Sequence, residues 1–216
     1  MSYMVDYDIR FYENNDVDST DFSKAMKIYI DSFPAHERHS VETIKERVRN
    51  GSYKLFIGRS DGEVVFMALF WSLQGTKFVL FDYMAIKENI RNRGVGTYFM
   101  SNMHQILNTK DVNYILEVED PRQGENKEQR EKRVAFYKKN GLKEMKDVRY
   151  ILPPLSGTTP TEMILMLLPK QQELELSGNT VKSVITQIYR ELYGRDENDQ
   201  LLNSFIHDVP HTIRLL

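Results

Sequence analysis

Cysteine is missing from the 216 residues, tryptophan occurs once, and 29 lysines and arginines nearly balance 31 aspartates and glutamates. The first absence removes disulfides, thiolate-bound zinc and a cysteine nucleophile together. The balance of charge, a formal −2, removes the global basic field with which a chain gathers nucleic acid, so no nucleic-acid partner is expected. No apolar run approaches the length of a membrane span, and no membrane partner is expected. Met1 to Arg10 mixes aspartate and tyrosine where an export signal has a basic flank and an apolar stretch, so a cytoplasmic location is expected. The five histidines are scattered: His36 and His39 are close, but His104, His207 and His211 lie far off, and no metal is implied. Internal repeats and low-complexity segments are also lacking.

What is present is 41% hydrophobic residues, enough to bury a full core as one domain or as one domain with an appendage. The patterning alternates. Asp8 to Glu13 reads as a strand, and Phe22 to Phe33 and Ser40 to Asn50 read as helices, the second opened by Ser40 and closed by Asn50-Gly51. Tyr53 to Arg59 and Glu63 to Trp71 form a hairpin across Ser60-Asp61-Gly62, and Phe78 to Ile86 continues the meander. Val95, Tyr98, Phe99, Met103, Ile106 and Leu107 have helical spacing, and Val112 to Val118 returns to strand. Arg122 to Arg130 is charged and has no apolar stripe, so it reads as a solvated loop that delays the next helix. Met163 to Leu168 is a further apolar run. After Pro169 comes the polar stretch Gln171 to Ser177, then an amphipathic stripe of Val181, Val184, Ile185, Ile188 and Leu192 ended by Gly194. This last helix docks on the core or serves a homodimer. Apolar residues at Leu201, Leu202, Phe205 and Ile206 give the tail something to pack.

The chemistry starts where the Phe78–Ile86 strand meets the Val95 helix, at Ile90-Arg91-Asn92-Arg93-Gly94-Val95-Gly96-Thr97. Two glycines two residues apart allow a sharp turn and close approach to a ligand, and the next helical turn offers unpaired N–H groups and the positive end of its dipole. With Arg91 and Arg93 added, this is an anion site suited to a pyrophosphate. It is not a P-loop, because Thr97-Tyr98 stands where Lys-Ser/Thr is needed. Nor is it a Rossmann fingerprint: Phe99 occupies the third small-residue place, and no βαβ unit opens the chain.

Arg91-Asn92-Arg93-Gly94-Val95-Gly96 instead resembles the acetyl-CoA loop of the GCN5-related N-acetyltransferases, the GNAT superfamily. About forty residues on, Arg133 to Leu142 ends in Phe136-Tyr137-Lys138-Lys139-Asn140-Gly141-Leu142, similar to that family's second signature. The resemblance covers roughly Ile9 to Leu168. It implies an α/β fold with a mixed, mostly antiparallel sheet splayed at its centre and flanked by helices. The domain would be residues 1–170, followed by a C-terminal helical extension at 171–216. It further implies that Met84, Ala85 and Ile86 bond the pantetheine through their backbone, and that Arg91, Asn92, Arg93, Gly94, Val95, Gly96 and Thr97 hold the pyrophosphate. One departure stands out: the family commonly has Asn seven residues before the tyrosine, and here that place is Arg130. That arginine either reaches a cofactor phosphate or faces solvent.

Acyl transfer to an amine needs a neutral nucleophile, stabilisation of the oxyanion and a proton for the departing thiolate. Tyr137, which aligns with the family's usual tyrosine, is the expected acid: a phenol with reference pKa ~10 is protonated at neutral pH. Backbone N–H near Met84 would serve the oxyanion. Three carboxylates compete as base. Asp82 lies in an otherwise apolar strand, and Glu117 and Glu119 share one face of the other central strand. The acceptor site is expected in the connection between the first two helices, with Phe33, Glu37 holding an amine and Arg38 a carboxylate; a surface turn whose charges pair with each other is the alternative. Tyr150 and Pro153-Pro154 would form the opposite wall. The expected activity is acetylation of a primary amine on a small molecule by direct attack in a ternary complex, with acetyl-CoA as acyl donor, no metal and no acyl-enzyme. The rival readings are a scaffold that binds coenzyme A without turnover and an interaction protein that works through its C-terminal helix.

Overall fold

The computed structural model describes residues 8–109, 111–170 and 174–216, apart from the side chain of residue 36. Positions 1–7 of the amino-terminal stretch and 171–173 of the polar stretch lie outside the described residues. Two compact units divide the chain, one gathering residues 1–71 with 81–110 and the other 72–80 with 111–216.

In the first unit, β1 (Arg10–Glu13) pairs antiparallel with β2 (Tyr53–Ser60), and β2 with β3 (Glu63–Ser72); the second half of β4 (Phe78–Ile86) comes next in the strand order. Helix α1 (Thr20–Ser32) starts where the Ser19 side chain accepts from the Phe22 amide at 3.1 Å, and it buries Phe22, Ala25, Met26 and Tyr29 at helical spacing. It stops before Pro34, which cannot continue the hydrogen-bond ladder. Helix α2 (Val41–Arg49) repeats the device with Ser40 and the Thr43 amide. Helix α3 (Val95–Ile106) follows the glycine loop and sends Phe99 into the rings of Phe66 and Phe81, 4.5 and 6.1 Å away.

The second unit is built on β5 (Asn113–Glu119). Its start runs parallel to β4 over Phe78–Leu80, and from Tyr114 onward it is antiparallel to β8 (Thr161–Leu168), from Tyr114↔Leu168 to Glu119↔Met163. Two short strands, β6 (Lys143–Glu144) and β7 (Tyr150–Leu152), both pair with β8. They are too short for any alternation to announce them. The same holds for β9 (Glu175–Ser177) and β10 (Thr212–Arg214), which form a separate two-stranded ladder. Helix α4 (Lys127–Lys139) begins inside the stretch expected to be loop. It has no apolar stripe in its first half, and its exposed turns carry the i,i+4 pairs Lys127–Glu131 and Glu128–Lys132 instead.

Helix α5 (Gly178–Glu191) buries Val181, Val184, Ile185 and Ile188, as its stripe predicts. Gln187 donates to the Gln74 carbonyl at 2.7 Å and Tyr189 to the Ile151 carbonyl, so the helix is fixed to chain on the amino-terminal side of Pro169. At its first residue a Cβ would stand 1.8 Å from the Pro210 carbonyl oxygen, which leaves room for glycine alone. Among the described residues no helix is long and apolar enough to cross a membrane. No group of three or more histidine, aspartate or glutamate side chains there is placed to hold a metal ion.

Candidate active site

The glycine loop belongs to the first unit. After β4 a 3₁₀ turn at Glu88–Ile90 leads into Asn92 and Gly94, both left-handed, with φ of 62° and 82°. Gly94 is the N-cap of α3, and no side chain caps that end. The amides of Val95, Gly96 and Thr97 therefore lie in a first turn without intrahelical acceptors, at the positive end of a twelve-residue helix. A Cβ on Gly94 would touch nothing within 4 Å, so the backbone twist and not crowding demands glycine here, and the space before the helix is open. Arg91 is anchored beside it: Nε donates to the Ile86 carbonyl at 3.1 Å and Nη2 to Ser32 Oγ at 3.2 Å. Beneath it lies a cavity of about 520 Å³ bounded by Lys27, Asp31, Ser32, Lys87, Asn89 and Arg91.

Along β4 from Phe81 to Ile86, buried and half-buried residues alternate, so Asp82, Met84 and Ile86 share the more open face. Asp82 Oδ2 accepts from the Tyr53 hydroxyl. Burial and then the Asp82 charge push the Tyr53 phenol well above its ordinary value, so it stays a donor. The Arg47 guanidinium lies 5.5 Å from the Tyr53 ring centre and 5.3 Å from that of Trp71, and meets His39 Nε2 at 3.1 Å. Burial, and then Arg47, hold the His39 imidazole down to about 4, which leaves it neutral and able to accept that bond.

The connection between α1 and α2 is tied to β4. The Tyr83 hydroxyl donates to the Glu37 carbonyl at 3.1 Å, and the Phe33 ring meets Tyr83 edge-on at 4.9 Å. Arg38 helps to close the helix before it. Its Nη1 donates to the carbonyls of Ile30 at 2.6 Å and Phe33 at 3.0 Å, satisfying the unpaired end of α1.

In the second unit, Glu117 and Glu119 occupy the same face of β5. Glu119 is held by Arg130, at 2.9 Å, and by Arg133. Arg130 is thus occupied within the unit, donating also to the Gln123 carbonyl at 2.6 Å, and its side chain is 14% exposed, so it does not face solvent. Among the described residues no cation pairs with Glu117 in this way: the Tyr150 hydroxyl donates to Oε1 and the Tyr193 hydroxyl to Oε2, the latter at 2.6 Å. Burial pushes its carboxyl up to about 7, against the opposing pull of the two phenols. Tyr137 is half-buried near the end of α4, and burial raises its phenol above the ordinary value while Arg133, one turn back, works the other way. The helix closes immediately after it. The Leu142 amide returns to the Tyr137 carbonyl and the Gly141 amide to that of Lys138, both at 3.1 Å, with Gly141 at φ 90°.

The family model for the acetyltransferase (GNAT) family matches residues 22–142, a span that contains the glycine loop and the Tyr137 helix. The chain belongs to this GNAT family. Its fold is shared with solved structures. A protein from Bacteroides thetaiotaomicron assigned to GNAT acetyltransferases superposes with a TM-score of 0.72 at 22% identity, covering 87% of this chain and 99% of that one. The ribosomal-protein-S18-alanine N-acetyltransferase from Escherichia coli gives 0.55 at 17% identity, covering 76% and 96%. An acetyltransferase structure from Salmonella typhimurium with its cofactor acetyl-CoA gives 0.56 at 12% identity, covering 78% and 96%. A comparison with curated proteins finds no match.

For this GNAT acetyltransferase, the loop, Asp82, Met84, Ala85, Ile86, Phe33, Glu37 and Arg38 fall in the first unit, and Glu117 and Tyr137 in the second. Sequence reasoning missed Tyr53, Arg133 and Tyr193 as partners of the candidate carboxylates, and Arg47 and His39 as neighbours behind Tyr53. Tyr53 and Tyr193 are single aromatics beside apolar runs, indistinguishable in the sequence from packing residues. Arg133 was legible only as part of a charged run, although its one-turn spacing from Tyr137 was available.

Proposed function

We propose that the protein acetylates a primary amine on a small molecule, with acetyl-CoA as donor and direct attack in a ternary complex. The observation that carries this reading is the uncapped α3 N-terminus behind the left-handed Gly94, an anion cradle made of backbone amides. Arg91 to Thr97 hold the pyrophosphate, and Met84, Ala85 and Ile86 meet the pantetheine through their backbone. The acetyl-CoA in the Salmonella typhimurium structure of the same fold supports this choice of donor. Residues 1–170 act as the transferase domain, with 171–216 as an extension that packs on it, in a cytoplasmic protein.

Glu117 takes a proton from the amine as the carbon–nitrogen bond forms. A carboxyl poised near 7 and flanked by neutral phenols suits that task better than one paired to arginines. Tyr137 gives its proton to sulfur as the carbon–sulfur bond breaks, and its raised pKa keeps the proton available. A backbone amide near Met84 faces the carbonyl oxygen. Asp82, oriented by Tyr53, attracts the cationic acceptor, with Phe33, Glu37 and Arg38 forming the entrance. Counted from the cationic acceptor, nitrogen gives up two protons: one passes to water before attack, and the one Glu117 takes is matched by the one Tyr137 gives to sulfur. The absence of an acidic docking tract in the sequence favours a small acceptor over a basic protein tail.

Calorimetric titration with acetyl-CoA and thiol release across a panel of primary amines test the reading. Wild type is expected to bind acetyl-CoA and release thiol with at least one amine. Gly94→Ala, strained by roughly 1–2 kcal/mol at this φ, is expected to weaken acetyl-CoA binding at least tenfold. Tyr137→Phe is expected to lower kcat about a hundredfold with binding retained. Unchanged affinity in Gly94→Ala would remove the cradle from the proposal.

A further inference from the structure

The Glu117 pocket is completed by a residue far outside the family-matched span. Tyr193 lies just past α5, and Tyr150 on β7; both are beyond residue 142, where the family match ends. We propose that Tyr193 is a positioning residue for the transfer reaction: together with Tyr150 it clamps the two carboxylate oxygens of Glu117, making the C-terminal segment part of the catalytic apparatus. The proposal rests on the reading of Glu117 as the base.

The geometry favours a clamp over incidental packing. Each oxygen receives one phenol, which fixes the carboxylate plane and leaves further lone pairs for an incoming proton. The phenols are themselves held. Tyr189 sits between them, its ring edge-on to Tyr150 at 6.1 Å and to Tyr193 at 6.0 Å, and its hydroxyl donates to the Ile151 carbonyl on β7. Phe205 closes the cluster 5.9 Å from Tyr150 and 6.0 Å from Tyr189. Among the described residues the titratable groups facing Glu117 are Tyr150 from β7 and Tyr189 and Tyr193 from the α5 segment. On its own strand the next carboxylate is Glu119, already bound by Arg130 and Arg133 of α4. Neutral donors orient the carboxylate without quenching its basicity, which a guanidinium would do.

The test is the pH behaviour of Tyr193→Phe, which keeps the ring and removes one donor. Carbon-13 NMR of glutamate carboxyls, with Glu117→Gln for assignment, reads the residue directly and needs no acceptor. Thiol release from acetyl-CoA with the best of putrescine, spermidine, glycinamide and glucosamine reads the reaction. Loss of a donor to the carboxylate should move the Glu117 midpoint and the acidic limb of kcat/KM up together by about one unit. That amounts to roughly a tenfold loss of rate at pH 6, largely recovered at pH 9. Tyr150→Phe should give a shift of the same sign and serves if Tyr193→Phe does not fold. A midpoint and limb that stay at their wild-type positions would overturn the clamp. An acidic limb that survives in Glu117→Gln would instead overturn the assignment of Glu117 as base, and with it the catalytic role of Tyr193. A limb that vanishes in Glu117→Gln but does not move in Tyr193→Phe would leave that assignment standing and reject the positioning role alone.

Discussion

Glu119 and Glu117 stand two residues apart on one face of β5, yet α4 holds Glu119 between two guanidiniums, while β7 and the segment after α5 hold Glu117 between two phenols. Strand periodicity makes the two positions look equivalent; their partners make them chemically opposite. A carboxylate ringed by arginines is a fixed anion that ties α4 to the sheet. One ringed by tyrosines keeps its appetite for a proton. The lesson is that on a shared strand face the second neighbour, supplied from elsewhere in the chain, decides which carboxylate can exchange protons.

The comparison breaks most visibly in rates. Glu117→Gln should lower kcat/KM about a thousandfold, roughly 4 kcal/mol of barrier, while Glu119→Gln, measured where it is folded, should stay within a few fold; equal losses would erase the distinction. Next is stability against pH. Glu117 titrates near 4.5 when unfolded and at about 7 when folded, so between those values the folded chain keeps a proton that the unfolded chain releases. Its contribution is present in full below pH 4.5 and falls by about 3 kcal/mol as pH rises through 7. Urea unfolding at pH 5 and 7.5 should show that fall in wild type and not in Glu117→Gln. At fixed neutral pH the order of stability reverses. Glu119→Gln should cost about 2–3 kcal/mol by leaving the largely buried Arg130 without its charge partner, whereas Glu117→Gln should cost little because an amide can still receive a phenol. The smallest effect belongs to Arg133→Met, at about 1 kcal/mol or less, since that side chain is 37% exposed and water screens its pairing.

Much of the fold was legible because caps and periods are local. Ser19 and Ser40 cap the helices they precede, the Phe78–Ile86 strand has the expected bounds, and the α5 stripe is buried where its spacing placed it. The glycine loop was equally legible, since its chemistry belongs to the backbone. The partners of the carboxylates were not. Tyr193 reaches Glu117 across 76 positions and Tyr150 across 33, and no local rule registers a contact of that range. Arg38 carries a contact that was equally silent: its charge suggests a ligand, while its Nη1 also meets the pair of carbonyls at the end of α1.

The tight ending of α4 changes how the Phe-Tyr-x-x-x-Gly-Leu signature should be understood. The bond from Leu142 back to Tyr137, closed through Gly141 and anchored by the buried Leu142 side chain, works as a ruler that sets the compass heading of the phenol. One extra residue between 137 and 142 would swing that heading by about 100°, the angular step of the helix. The glycine and leucine that touch no substrate would then prove as intolerant of insertion as the tyrosine is of replacement.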